Sequence, residues 1–167
     1  MSTTFGNAPT KSTDVNGTNF VFREIGKKGG VPVVLLHHLT AVLEDWDPKV
    51  VDGLAAKHHV IVFDNRGVGG SGGVTPKTVE EMAQDAVAFI GALGFGKVDL
   101  FGFSLGGFVA QVIAQQQPGL VRKIILAGTG PAGGEGIANV GPVLHDAFGK
   151  AGATNASEAF SVLYTDE

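Results

Sequence analysis

The sequence predicts an α/β fold, a mostly parallel sheet with helices on both faces. Two observations carry this expectation. Short apolar runs alternate with helical segments between Val31 and Ala127 in the order β-α-β-α-β-α-β. The 26 glycines, about twice the usual share, sit in the loops between those runs rather than in a repeat, as many tight strand-to-helix turns require.

Residues 1–18 are polar and rich in Ser and Thr at their start, and read as a flexible N-terminal segment. Asn19 to Ile25 alternates as a strand does, and Lys27-Lys28-Gly29-Gly30 is a turn. Val31 to His37 is a continuous, β-branched apolar run, the signature of a parallel strand buried on both faces. Asp47-Pro48 opens a helix to about Lys57, since proline suits the first helical position. His59 to Asp64 is the next buried strand, and Arg66 to Gly73 a glycine-dense loop.

The following helix has the clearest signals. Thr78 and Glu81 form a capping box, and Val79, Met82, Ala83, Ala86, Val87, Ile90 and Leu93 share one face. Gly94 ends it. Lys97 to Phe103 is then a strand, Leu105 to Gln117 a helix stopped by Pro118-Gly119, and Val121 to Ala127 another strand. After Gly130 the character changes to a loop, a helix over Val140–Lys150 and a second beginning near Glu158.

Composition narrows the function classes. Hydrophobic residues make up 44% of 167, enough for one sizeable core. A net charge of −4 offers no basic surface on the scale that nucleic acid or anionic membranes require, so neither is an expected partner. Oligomeric state is not readable from composition. Cysteine is absent, which removes disulfides and thiolate metal sites; no metal and no cofactor is expected. The N-terminus lacks a signal peptide's apolar region, and no apolar run reaches the roughly 18 residues of a membrane span. A cytoplasmic protein is the expectation.

Gly102-Phe103-Ser104-Leu105-Gly106 lies between a buried strand and a helix. A G-x-S-x-G run in that setting reads as a nucleophile elbow, where small residues two before and two after the serine let the chains approach. The helix dipole there favours developing negative charge. The structural alternative is a serine that merely caps the helix.

With these residues the chain resembles the α/β-hydrolase superfamily, in its branch of esterases, lactonases and cofactor-free haloperoxidase-like enzymes. The resemblance covers residues 19–130 as the N-terminal part of the core, with 131–167 as the start of cap helices. Val33 to His37 is similar to the strand leading to the family's oxyanion loop, and Asp64-Asn65-Arg66-Gly67-Val68-Gly69-Gly70-Ser71 to its D-x-R-G-x-G-x-S loop. The resemblance implies an α/β-hydrolase fold, Ser104 as nucleophile, and the backbone N–H groups of Leu105 and Leu39 as the oxyanion hole. One departure stands out, because the family's His-Gly is here His37-His38. His38 is expected to hydrogen-bond a neighbouring loop, the alternative being a polar contact near the site. Trp46, beside Glu44, Asp45 and Asp47, and Phe103 are candidate pocket residues, with a core role the equal alternative for Trp46. Asp64 and Arg66 are expected to be structural.

Three nucleotide-like patterns fail on context. Gly67 to Gly72 and Gly128 to Gly133 match G-x-G-x-x-G, but no helix opens at either, so a pyrophosphate would meet no dipole. Gly91 to Lys97 runs from a helix into a strand, the reverse of a P-loop, and Val98 stands where Ser or Thr is required.

A serine at the elbow implies acyl transfer through a covalent ester, which needs a histidine base and an orienting acid. In this superfamily both follow the serine. Downstream of Ser104 lie Glu135, Asp146, Glu158, Asp166 and Glu167, with His145 the sole histidine. His145 and Asp146 are consecutive on an expected helix, so their side chains diverge by about 100° and cannot act in relay. The expectation is an N-terminal portion of a longer enzyme, with the acid and histidine beyond Glu167 and the strand Val121–Ala127 left at an open sheet edge. The function expected is hydrolysis of small carboxylic esters or lactones. A perhydrolase or haloperoxidase-like enzyme and a non-catalytic binding protein are the alternatives.

Overall fold

A computed structural model describes residues 3–139, 141–142, 145–146 and 149. Six strands form one mixed sheet: β1 (Lys11–Val15), β2 (Thr18–Ile25), β3 (Val33–Leu36), β4 (Val60–Phe63), β5 (Val98–Phe103) and β6 (Val121–Ala127). Their spatial order is β1-β2-β4-β3-β5-β6. Neighbours from β4 to β6 pair in parallel, whereas β1 pairs with β2, and β2 with β4, antiparallel. The helices are α1 (Pro48–Ala55), α2 (Val79–Ala92) and α3 (Leu105–Gln116).

The continuous apolar runs of β3 and β4 are explained by two separate cores. Val34 and Leu36 of β3, with Ile61 and Phe63 of β4, pack with α2 and α3. Val33, Leu35, Val60 and Val62 point the other way and pack with Val51 of α1, Leu43 and Trp46. Successive strand residues face opposite sides, so both parities must be apolar when both faces are covered. Phe63 and Phe89 stack at 4.3 Å and lock α2 to the sheet.

The helix starts follow their caps. Asp47 accepts from the Lys49 N–H at 2.7 Å ahead of Pro48. Thr78 accepts from the Glu81 N–H at 3.1 Å, but the Glu81 carboxylate reaches back to the Lys77 N–H at 2.9 Å rather than to Thr78. The reciprocal half of the expected capping box is therefore shifted one residue outward.

The flexible segment expected over residues 1–18 is corrected by the structure. Lys11–Val15 is a full strand, and Phe5 is buried. The Phe5 N–H donates to the Asp52 carboxylate of α1 at 2.7 Å, and Arg23 lies over the Phe5 ring. A polar Lys-Ser-Thr-Asp run forms a strand because it lies on the sheet edge, where only its last residue, Val15, is buried.

The chain divides into two units, Met1–Pro131 and Ala132–Glu167. In the second, Ile137–Asn139 is a 3₁₀ turn, and His145 and Asp146 are helical and exposed. The helices expected at Val140–Lys150 and from Glu158 fall largely or wholly outside the described residues. Among the described residues no helix is long and apolar enough to cross a membrane.

At the far sheet edge, β6 carries Ile124, Ile125 and Leu126 at 37%, 48% and 44% exposure. Residues of buried type thus face outward on a strand that, among the described residues, is paired only along its β5 side. Ile125→Lys should raise the concentration at which light scattering detects self-association, with an unchanged far-ultraviolet circular dichroism spectrum.

Glu24, at the end of β2, accepts from Lys11 at 2.6 Å, Lys28 at 2.7 Å and His59 at 2.8 Å. Burial raises its acidity constant's pKa, but these three hydrogen bonds together outweigh that and bring it down to about 2. A depressed carboxylate stabilises the fold above its unfolded pKa, and that contribution fades as pH falls from about 4.5 towards 2. Glu24→Gln should flatten the acid limb of the stability curve in that window, measured by urea unfolding at stepped pH.

Candidate active site

The turn between β5 and α3 is built by close backbone approach. A Cβ on Gly102 would lie 2.4 Å from the Gly106 carbonyl oxygen, and one on Gly106 would lie 2.1 Å from the Leu36 carbonyl oxygen. Both neighbours are backbone, so neither can yield to a side chain. A Cβ on Gly107 would meet the Thr129 side chain at 2.4 Å. These glycines let α3 start directly against the end of β3.

Ser104 sits at the apex with φ +52° and ψ −115°, a conformation costly for a residue with a Cβ. Its N–H donates to the Ala127 carbonyl at 2.9 Å, which ties the apex to the end of β6. Its own carbonyl accepts from the Gly107 N–H at 2.9 Å. Ser104 occupies the N-cap position of α3, yet its hydroxyl makes no cap hydrogen bond. The capping alternative therefore does not account for the serine, because the oxygen is not spent on the helix.

Leu105 and Leu39 both present backbone N–H groups that have no acceptor among the described residues. For Leu105 this follows from its place in the first helical turn. Leu39 is 56% exposed, and its carbonyl accepts from the Thr40 hydroxyl at 2.6 Å. Thr40 has φ +67°, so the loop after His37-His38 is sharply turned without glycine. His38 Nδ1 lies 2.8 Å from the same Leu39 carbonyl and, as its partner is an acceptor, donates to it. The loop that His38 bonds is its own.

His38, Trp46 and Phe103 line one apolar cavity of about 300 Å³, together with His37, Phe101 and Ala127. Phe103 meets the His38 ring edge-on at 5.4 Å, and Trp46 meets Phe101 edge-on at 5.4 Å. Trp46 is buried in the α1-side core and also lines this cavity. Ser104 flanks the cavity through Phe103 and is not itself a lining residue. Asp45, Asp47 and Val50 also line it, and these were not anticipated beyond the acidic run around Trp46. Val50 is a helix-surface valine that periodicity alone assigns to no site.

His37 is buried, and its Nε2 donates to the Phe63 carbonyl. Desolvation pushes its pKa below the usual imidazole value, against the pull of that hydrogen bond and of Asp64. The neutral ring leaves Nδ1 as an acceptor with no partner among the described residues, and Trp46 Nε1 is a buried donor in the same condition. A hydroxyl or amide could satisfy both kinds of group.

The Asp64–Ser71 loop is structural. One Asp64 oxygen accepts from the Leu43 N–H at 2.7 Å and the other from the Gly70 N–H at 2.8 Å. Ser71 donates to the Asp64 carbonyl at 2.8 Å and accepts from the Val21 N–H at 3.0 Å. Arg66 pairs with Asp85 of α2 at 2.7 Å. Asp64 thereby fixes the Leu43–Asp45 turn that carries Trp46 into the cavity wall. Among the described residues, no three His, Cys, Asp or Glu side chains converge as a metal site would require.

A parallel-centred sheet with a strained serine at a strand-to-helix turn has the form of an elbow-bearing α/β fold. The family profile described as alpha/beta hydrolase fold matches residues 31–151, and the chain belongs to that family. It is 34% identical over 123 residues to a non-heme chloroperoxidase of Streptomyces lividans, covering 71% of this chain and 44% of that protein. An alpha/beta hydrolase fold protein from Chitinophaga pinensis superposes with a TM-score of 0.86 at 38% identity, over 99% of this chain and 58% of the other. Est816, described as an N-acyl homoserine lactone degrading enzyme, superposes at 0.69 with 28% identity, over 90% and 54%. The chain thus spans about half the length of these relatives.

Two substitutions test the turn. Gly106→Ala should destabilise by about 2–4 kcal/mol in urea unfolding, as overpacking against backbone does. Ser104→Gly should be more stable than Ser104→Ala by about 1 kcal/mol, because only glycine relieves the positive φ.

Proposed function

We propose that Ser104 is the nucleophile of a serine hydrolase for small carboxylic esters or lactones, working through an acyl-enzyme. The observation that carries this reading is the Ser104 hydroxyl, which makes no cap hydrogen bond and is held on a strained backbone between β5 and α3. Strain of this kind persists where the surrounding structure imposes it, and it clusters at reactive positions. Ser104 Oγ attacks the acyl carbon and its proton passes to a histidine base. The tetrahedral oxyanion is held by the N–H groups of Leu105 and Leu39, and collapse breaks the bond to the alkoxy oxygen, which takes the proton back from the histidine and leaves as the alcohol, with the ester on Ser104. Water then releases the acid by the same steps. His38, Trp46 and Phe103 shape the acyl or alcohol pocket, whose apolar wall suits a small organic substrate.

The base and its orienting acid are proposed to come from sequence outside these 167 residues. His145 and Asp146 are consecutive and helical, so their side chains diverge and cannot act in relay at one site. The likeness to a chloroperoxidase favours a second reading, perhydrolysis, in which peroxide rather than water takes the acyl group from Ser104.

A fluorophosphonate probe followed by peptide mass spectrometry tests the nucleophile. In the polypeptide extended through its in-frame continuation, Ser104 should be labelled and Ser104→Ala should not. An extended protein left unlabelled at Ser104 would instead make this a non-catalytic binding protein. Hydrolysis of short p-nitrophenyl esters, with and without peroxide and halide, separates the two enzymatic readings.

A further inference from the structure

We propose that the face of the sheet edge opposite Ser104 holds a second binding site, one for a small phosphate-bearing anion. Ser104 follows the C-terminal end of β5, whereas this site gathers residues at the other ends of the parallel strands. The loop before β3 supplies Lys27 and Lys28, the segment between α1 and β4 supplies Lys57 and His58, and the start of β6 supplies Arg122. All five line one cavity of about 460 Å³. No carboxylate lines it. Lys28 is paired with Glu24 and Arg122 with Asp99, so Lys27 and Lys57 leave a local excess of two formal cations in a chain whose net charge is −4.

The ordinary explanation for such residues covers only part of the set. Lys57 and His58 follow the C-terminus of α1, where basic groups complement the helix dipole. Lys28 serves Glu24 at 2.7 Å and Arg122 serves Asp99, whereas Lys27 has neither a helix end nor a carboxylate among the described residues. Lys27 and Lys57 have no ion pair among the described residues. Arg122 is held in place by Asp99, through Nε at 2.9 Å and Nη2 at 2.6 Å, and Nη1 has no acceptor among the described residues. A guanidinium fixed by one carboxylate presents its remaining N–H groups without further loss of side-chain freedom.

The Gly29-Gly30 pair is a second, independent feature. Nothing lies within 4 Å of a Cβ built on either residue, so crowding does not require glycine there. Gly29 needs it for a φ of +104°, but Gly30 has no such conformational demand. The N–H groups of both have no acceptor among the described residues. Open amides beside several cations suit a compact, multiply charged oxyanion, whose oxygens accept many hydrogen bonds at once. A singly charged carboxylate would leave most of these donors unsatisfied.

Inorganic pyrophosphate is the probe. It is titrated into the ¹⁵N-labelled chain at constant ionic strength, and amide shifts are followed in parallel with Lys27→Gln/Lys57→Gln and with Lys77→Gln as a remote control. The expected result is saturable shifts at Gly29, Gly30, Lys57 and Arg122, with a midpoint at or below about 5 mM, weakened about tenfold in the double variant and unchanged in the control. Shifts that do not saturate, that spread over the surface, that sodium chloride reproduces, or that survive the double variant would each overturn the proposal. None of these outcomes bears on Ser104, whose reading stands or falls on the labelling experiment.

Discussion

The structure depends on one close approach, that of Gly106 to the carbonyl of Leu36. At 2.1 Å from that oxygen there is no room for a Cβ, so α3 can begin against β3 only if glycine stands there. Gly102 meets the same need from the strand side. Between them Ser104 is forced to a positive φ and takes no part in capping. The strain at one residue is thus sustained by packing at two others, and by the Ala127 carbonyl that accepts from its N–H.

From that point the rest of the site is placed by the sheet. β3 ends at Leu36, so His37 and His38 fall beside the elbow. Asp64, at the end of β4, binds the Leu43 N–H and the Gly70 N–H together. A buried carboxylate with donors on both oxygens holds two loops in register, and one of them brings Trp46 into the cavity. The opposite ends of the same strands concentrate cations, giving the unit two chemically distinct faces.

Much of this was legible in the residues. The apolar runs of β3 and β4, the Thr78 cap, Pro48 at a helix start and the glycines of the elbow are local signals with local causes. Three features were not. Lys11–Val15 has no apolar alternation, and becomes a strand because β2 offers it a ladder. The Glu81 carboxylate accepts from the Lys77 N–H, one residue outward from the partner that the capping-box pattern names. Val50 and Asp47 enter the cavity wall because α1 packs on one particular face of the sheet.

The sequence by itself therefore determined the class of fold, the serine at the elbow and the glycines that permit it, since each is a matter of neighbours along the chain. Only the tertiary structure decided that the Ser104 hydroxyl does not cap α3, that His38 turns back to the Leu39 carbonyl, and that cations from three separate segments meet in one cavity. The first and last of those outcomes rest on the packing of residues remote in sequence, and the second on the fold of a single loop. The folding of the sheet sets that packing, and no pattern read along one chain contains it.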